Sequence, residues 1–214
     1  MSGYAEYDMK LFDLQRVKVP TIVATPENFA SYGHFVYNFE HESVIIKPWP
    51  VFGKRKLMGN TGIGGGIAEG IFEYTYETTQ KNKPYLKKLD NIITLHSINN
   101  AVGGKYITGI GYDNIMLVRE ANYHPDSGQV FYPMETRPFS LLLSDADDNA
   151  TPEDFVCFSF DGTCGCQINP NIWHQPIYPS MCKTMNFKNK QGAVHACVGI
   201  DFVDEFYVVL EITI

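Results

Sequence analysis

Short stretches that alternate apolar with polar residues, each closed by turn-forming residues, constrain this chain more than any other feature. Phe72-Glu73-Tyr74-Thr75-Tyr76-Glu77-Thr78 is the clearest of them, with the period of two that marks a half-buried strand. Comparable stretches predict strands at 35–39, 92–97, 106–109, 115–124, 129–134, 139–143, 155–160, 167–173, 193–201 and 205–214. Turn chemistry separates them at Gly103-Gly104, Asp113-Asn114, Pro125-Asp126-Ser127-Gly128 and Asp161-Gly162. Tyr (13), Phe (14) and Gly (18) pull the same way, because aromatics suit strands and glycine suits tight turns. Many short strands at close spacing predict an all-β barrel or sandwich and exclude an alternating α/β fold. One short helix is expected at Thr25-Pro26-Glu27-Asn28, where threonine caps, proline takes the first helical position and Gly33 follows the end.

Length and charge narrow the function. A chain of 214 residues can bury a core without disulfide or metal staples, and 1–214 reads as one domain. The formal charge of -7 excludes a nucleic-acid surface and suits a small-molecule substrate or simple solubility. The polar first sixteen residues do not read as a signal peptide, and the apolar runs are strand-sized, so no membrane partner and a cytoplasmic location are expected. Cys157, Cys164, Cys166, Cys182 and Cys197 are odd in number and contain no C-x-x-C pair, which predicts free, mostly buried thiols. The clusters Gly62-Ile63-Gly64-Gly65-Gly66 and Gly103-Gly104-Lys105 lack the spacing and the following helix of a phosphate loop, and read as turns. The basic run from Lys81 to Lys88 reads as a solvated loop.

Chemistry concentrates in two segments. On a strand, Glu120, Asn122 and His124 share one face. The turn at 125–128 then brings Gln129 beside His124 across a hairpin. Asn169-Pro170-Asn171-Ile172-Trp173-His174-Gln175-Pro176 places a second histidine at the end of a strand, bracketed by prolines. Histidine titrates near neutrality and serves as acid or base, and a buried Glu120 would share that work with a raised pKa. Structural readings stand beside these. His124 can satisfy backbone groups, Glu120 can pair with Arg119, and Trp173 can be a packing anchor whose indole flanks the pocket. His195 reads equally as a cavity residue or a core histidine, and His34 and His96 carry no motif.

The stretches His124-Pro-x-x-x-Gln129-x-Phe131-x-Pro133-Met134 and Asn171-x-Trp173-His174-x-Pro176 resemble the ureidoglycolate lyase family, as does Glu27-Asn28-Phe29-Ala30-Ser31-Tyr32-Gly33. The resemblance implies a cupin-type β-barrel, single or bicupin-like, here with an enlarged central segment at about 41–105. It also implies a homodimer that splits ureidoglycolate, a small carboxylate of purine and allantoin breakdown, into glyoxylate and urea. The family's motifs carry over to His124, Gln129 and His174; the two histidines are the expected catalytic groups, with Glu120 added on its own chemistry. Gln129, Asn122, Asn169, Trp173 and Arg137 are the expected substrate contacts. His124, Gln129 and His174 would hold a divalent metal if one is used; no redox cofactor or nucleotide is needed. The substrate carboxylate would meet that metal or a cation such as Arg137 or Lys183. Asn122 stands where the lyases carry Glu, Asn169 where they carry His and Pro170 where bacterial members carry Arg. These departures favour a rival reading, a cupin that binds a small carboxylate without cleaving it. The apolar stretch 205–210 is expected to form an open edge strand through which two copies pair.

Overall fold

Alternating patterns become two hydrogen-bonded sheets. The computed structural model describes residues 13–48, 55–58, 66–79, 90–97, 106–112, 114–175 and 177–214. The chain runs β1 (Gln15–Lys18), β2 (Thr21–Val23), α1 (Pro26–Phe29), β3 (Gly33–Val36), β4 (Ile67–Thr79), β5 (Asp90–Ser97) and β6 (Tyr106–Tyr112). It continues through β7 (Ile115–Val118), β8 (Glu120–Tyr123), β9 (Gln129–Pro133), β10 (Phe139–Ser144), β11 (Val156–Phe160) and β12 (Gly165–Ile168). The last elements are β13 (Trp173–His174), β14 (Tyr178–Pro179), β15 (Thr184–Gly192), β16 (Val198–Asp201), α2 (Phe202–Phe206) and β17 (Val208–Thr213). One sheet has the order β1-β17-β7-β6-β5-β4-β15-β9-β12-β3 and the other β16-β8-β13-β10-β11-β2, with β14 joined to β10. The expected all-β, cupin-like fold is what forms.

Strand β10 explains how the layers stack. Phe139, Leu141 and Leu143 point into one apolar cluster with Phe131, Ile168, Phe158 and Phe187, between the two sheets. Leu142 points the other way, into a second cluster with Met116, Trp173, Ile200 and Leu210. A strand covered on both faces is buried along its whole length, and all six residues of β10 are buried, four of them apolar. Phe139 stacks on Phe160 at 4.8 Å and meets Phe187 edge-on at 5.1 Å, pairs worth about 0.5–1.5 kcal/mol each beyond simple burial. The predicted helix forms as α1. Thr25 Oγ1 accepts from the Asn28 amide, Asn28 Oδ1 accepts from the Thr25 amide, and Phe29 is driven into the inter-sheet cluster. At Gly33 a Cβ would lie 1.8 Å from the Gln167 carbonyl oxygen, so only glycine lets β3 close on β12.

Four expectations need correction. The stretch 205–214 is not one strand. Asp201 caps α2 by accepting from the Val203 and Asp204 amides, Tyr207 ends it in the left-handed region, and β17 follows. β17 lies between β1 and β7, so it offers no open edge for a second copy. The stretch 115–124 divides at Arg119 into β7 and β8, which belong to different sheets. There the Arg119 side chain donates to Asp201 at 2.8 Å and its carbonyl accepts from the Phe202 amide. The stretch 167–173 divides in the same way into β12 and β13, around Asn171 at φ 69°. β15 was not expected at all. The five cysteines are free, three of them buried, as expected. Among the described residues no helix is long and apolar enough to cross a membrane. The Lys81–Lys88 run and Gly62, Gly64, Gly65, Gly103 and Gly104 lie outside the described residues.

Candidate active site

His174 sits in the middle of a sheet, with Asn122 of β8 and Leu143 of β10 as its cross-strand partners. Directly paired residues share a face, and Leu143 points between the sheets, so His174 and Asn122 point there too. The turn at 125–128 carries the chain from β8 into the other sheet, and the 193–197 connection does so in reverse. Two side chains tie these crossings together. Asp126 Oδ1 accepts from the Ala196 amide at 2.9 Å, and Ser127 Oγ accepts from the Gly192 amide at 2.9 Å. Gln129, first in β9, is paired with Ile168 of β12 and Gln191 of β15. The crossings therefore deliver His124, Gln129, His174, Gln191 and His195 to one end of the inter-sheet space.

The polar contacts there form a chain. His124 Nδ1 lies 2.8 Å from the Ala196 carbonyl oxygen, and His174 Nδ1 lies 3.0 Å from that of Ile172. A carbonyl only accepts, so both imidazoles carry their hydrogen on Nδ1. His174 Nε2 lies 3.2 Å from Gln129 Oε1, the Gln129 amide contacts Gln191 at 2.9 Å, and Gln191 contacts His195 Nδ1 at 3.1 Å. The rings of His124 and His174 are 5.1 Å apart, and His195 lies over His124 at 4.3 Å with a tilt of 34°. Asn122 Oδ1 is buried with no hydrogen-bond partner among the described residues.

Burial keeps these imidazoles neutral. It lowers the His124 pKa, against smaller upward pulls from the Ala196 carbonyl, Asp126 and Gln129. It pushes His174 down to about 3, with His124 adding to the effect. His195 falls well below its ordinary value through burial and its two histidine neighbours. Glu120 moves up, chiefly by burial and then by Asp201, with Arg119 opposing. The site thus gathers neutral bases, and Glu120, further along β8, is a carboxyl that holds its proton to higher pH than usual.

Comparison with known proteins decides the family. The ureidoglycolate lyase family model matches residues 16–205, most of the chain. The chain belongs to the ureidoglycolate lyase family. Ureidoglycolate lyases of Salmonella paratyphi B, Salmonella newport and Salmonella typhimurium are each 29% identical to it over 63 residues, 29% of this chain. The matched stretch spans 39% of the length of each of these relatives.

For this family member, the sequence-derived residues separate into two groups. His124, Gln129, His174 and Asn122 converge. The 169–172 turn packs beside them, with the Asn171 amide donating to the His124 carbonyl and the Asn169 amide to that of Tyr32. Glu120 is two residues along β8 from Asn122, and its carbonyl accepts from the Gln175 side chain. Trp173 does not join the site. Neighbours on a strand point to opposite faces, so its indole enters the second apolar cluster. There it meets Tyr123 edge-on at 4.6 Å and donates to the Asp147 carbonyl at 2.7 Å. Arg137 does not join it either. It is exposed, in the turn at the far end of β9 from Gln129, roughly 15 Å away at ~3.3 Å per residue. Lys183 is exposed just before β15. Gln191 was missed because the buried run Asn189-Lys190-Gln191 hides the apolar alternation of Met185 and Phe187 earlier in β15.

The donor set does not fit a divalent metal. His124, Gln129 and His174 would supply two neutral imidazoles and a neutral amide, with no anionic ligand, and Gln129 is already bonded to its neighbours. Among the described residues no group of three or more His, Cys, Asp or Glu side chains is arranged to hold a metal ion. The placement of Trp173 has its own test. Trp173→Phe removes the donor to the Asp147 carbonyl and thins the packing of a fully buried indole, and is expected to cost about 1–3 kcal/mol in a denaturant melt. Any substrate affinity or turnover should stay within about twofold of wild type, since the indole does not face the site.

Proposed function

We propose that this chain is a ureidoglycolate lyase, cleaving the carbon–nitrogen bond of ureidoglycolate to give glyoxylate and urea. The observation that carries the reading is the convergence of His124, Gln129 and His174 at 3–5 Å inside the molecule, with neutral imidazoles beside them. Ureidoglycolate is a hemiaminal. In its collapse the hydroxyl proton passes to a base, the carbon–nitrogen bond breaks as the carbonyl forms, and the urea nitrogen takes up a proton. A neutral imidazole suits the first transfer, and Glu120, with its raised pKa, suits the last. Gln129 and the unpartnered carbonyl of Asn122 offer hydrogen bonds to the substrate's hydroxyl and ureido groups. Asn169, in the adjoining turn, belongs to the proposed lining on the family resemblance.

Incubation of the purified protein with ureidoglycolate is expected to release glyoxylate at a rate unchanged by a divalent-metal chelator. A chelator-sensitive rate restored by added metal would restore the metal role for His124, Gln129 and His174. The binding-only reading draws on Asn122, an amide where the lyases carry a carboxylate. It forecasts thermal stabilisation by glyoxylate with no turnover. A cytoplasmic homodimer belongs to the proposal on the family resemblance. With β17 enclosed, the open edge strand β2, exposed at all three residues, is the candidate contact.

A further inference from the structure

Hydrogen-bond accounting in the site singles out one imidazole. His174 Nδ1 already donates to the Ile172 carbonyl, so a neutral His174 has a lone pair on Nε2. The group 3.2 Å from that lone pair is the end of the Gln129 side chain. An amide oxygen facing a lone pair repels it. A half-turn of the amide puts its NH2 there instead. With Gln129 turned, its oxygen faces Gln191 at 2.9 Å and needs an N–H from it. Gln191 must then turn as well, presenting its own oxygen to His195 Nδ1 at 3.1 Å. An oxygen there requires a hydrogen on His195 Nδ1. One neutral histidine held by a backbone carbonyl thus propagates its polarity through two glutamines and fixes the tautomer of a second.

We propose that His195 is the proton acceptor of the reaction, its Nε2 lone pair bared by a Gln129–Gln191 amide relay that holds the hydrogen on Nδ1. This rests on the lyase reading above and names the base within it. His174 spends both ring nitrogens on neighbours in the relay polarity, whereas among the described residues His195 is bonded through Nδ1 alone. His195 is also the least buried of the three, the other two being 5% and 4% exposed. It is held at φ 49°, a left-handed conformation that a non-glycine residue adopts at a cost, as occurs where a side chain must be aimed. In the step, the hydroxyl proton of the hemiaminal moves to His195 Nε2 and the electron pair of that O–H bond forms the glyoxylate carbonyl. The carbon–nitrogen pair leaves with urea, which receives the Glu120 proton. The imidazolium then returns its proton to the Glu120 carboxylate through solvent. Gln191 is a positioning residue, and its oxygen stabilises the Nδ1–H of the imidazolium as it forms.

Nitrogen-15 NMR of the imidazoles in the unmodified, ligand-free protein reads the tautomers directly. The expected spectrum shows His195 and His174 both as Nδ1–H with no hydrogen on Nε2. His195 carrying its hydrogen on Nε2 overturns the proposal, whatever the protein does to ureidoglycolate. In turnover, His195→Ala should lower kcat at least about a hundredfold with KM within about threefold. Gln191→Met, of similar volume, should lower kcat about tenfold and mix the His195 tautomers. A His195→Ala protein with wild-type kcat overturns the assignment. Failure of the wild type to consume ureidoglycolate is a different result: it removes the lyase reading, and this base with it, even where the tautomers are as expected.

Discussion

Replacing His174 by alanine should slow ureidoglycolate cleavage by about a hundredfold, close to 2.7 kcal/mol of transition-state stabilisation at about 1.4 kcal/mol per tenfold. The imidazole bonds the Ile172 carbonyl through Nδ1 and Gln129 through Nε2, so its loss frees one end of the chain of side chains that ends at His195. The fold should persist, weakened by about 1–3 kcal/mol for the carbonyl left without a donor. Steady-state kinetics beside a denaturant melt separate the two effects. A variant with wild-type kcat, or one whose activity loss only tracks unfolding, would remove His174 from the site.

A second large effect is expected from acid. His124, His174 and His195 all have pKa values lowered by burial, that of His174 to about 3, against 6.5 in the unfolded chain. Above pH 6.5 both states are neutral and the three groups contribute nothing to the pH dependence. Below it the unfolded chain takes up protons that the folded protein refuses, so stability falls with pH down to the folded-state values. Each such histidine costs about 1.4 kcal/mol per pH unit across that window. Glu120 works in the opposite sense, because its folded pKa lies above its unfolded one, but it is one group against three. Thermal melts should show a steep loss of stability from pH 6.5 to 4.5, before most carboxylates titrate. A flat profile over that range would mean that the histidines are not held neutral.

The sequence made the centre of the site readable because local rules govern it. The Pro125–Gly128 turn fixes His124 against Gln129, and strand alternation fixes Asn122 on the His124 side. The same alternation, applied one residue further, turns Trp173 away from His174; a Pro-bracketed motif hides that two-residue strand β13. Arg137 was attractive for its charge, yet β9 carries it to the wrong end. The end of the chain misled because Val208–Leu210 is apolar enough to extend a strand reading backwards. The Asp201 cap three residues before Asp204 was a helix signal in plain view. Gln191 and His195 were the hardest to see. Their role depends on the long-range pairing of β15 with β9 and on a positive φ at His195, and neither leaves a local pattern.

Product stoichiometry from ureidoglycolate tests the central claim most directly. A lyase acting through hemiaminal collapse yields one urea for each glyoxylate and no ammonia. That is the expected result for the wild-type protein. Ammonia released in step with glyoxylate would mean hydrolysis of the ureido group instead, and no glyoxylate at all would mean that the site binds without cleaving. Either result would contradict the account.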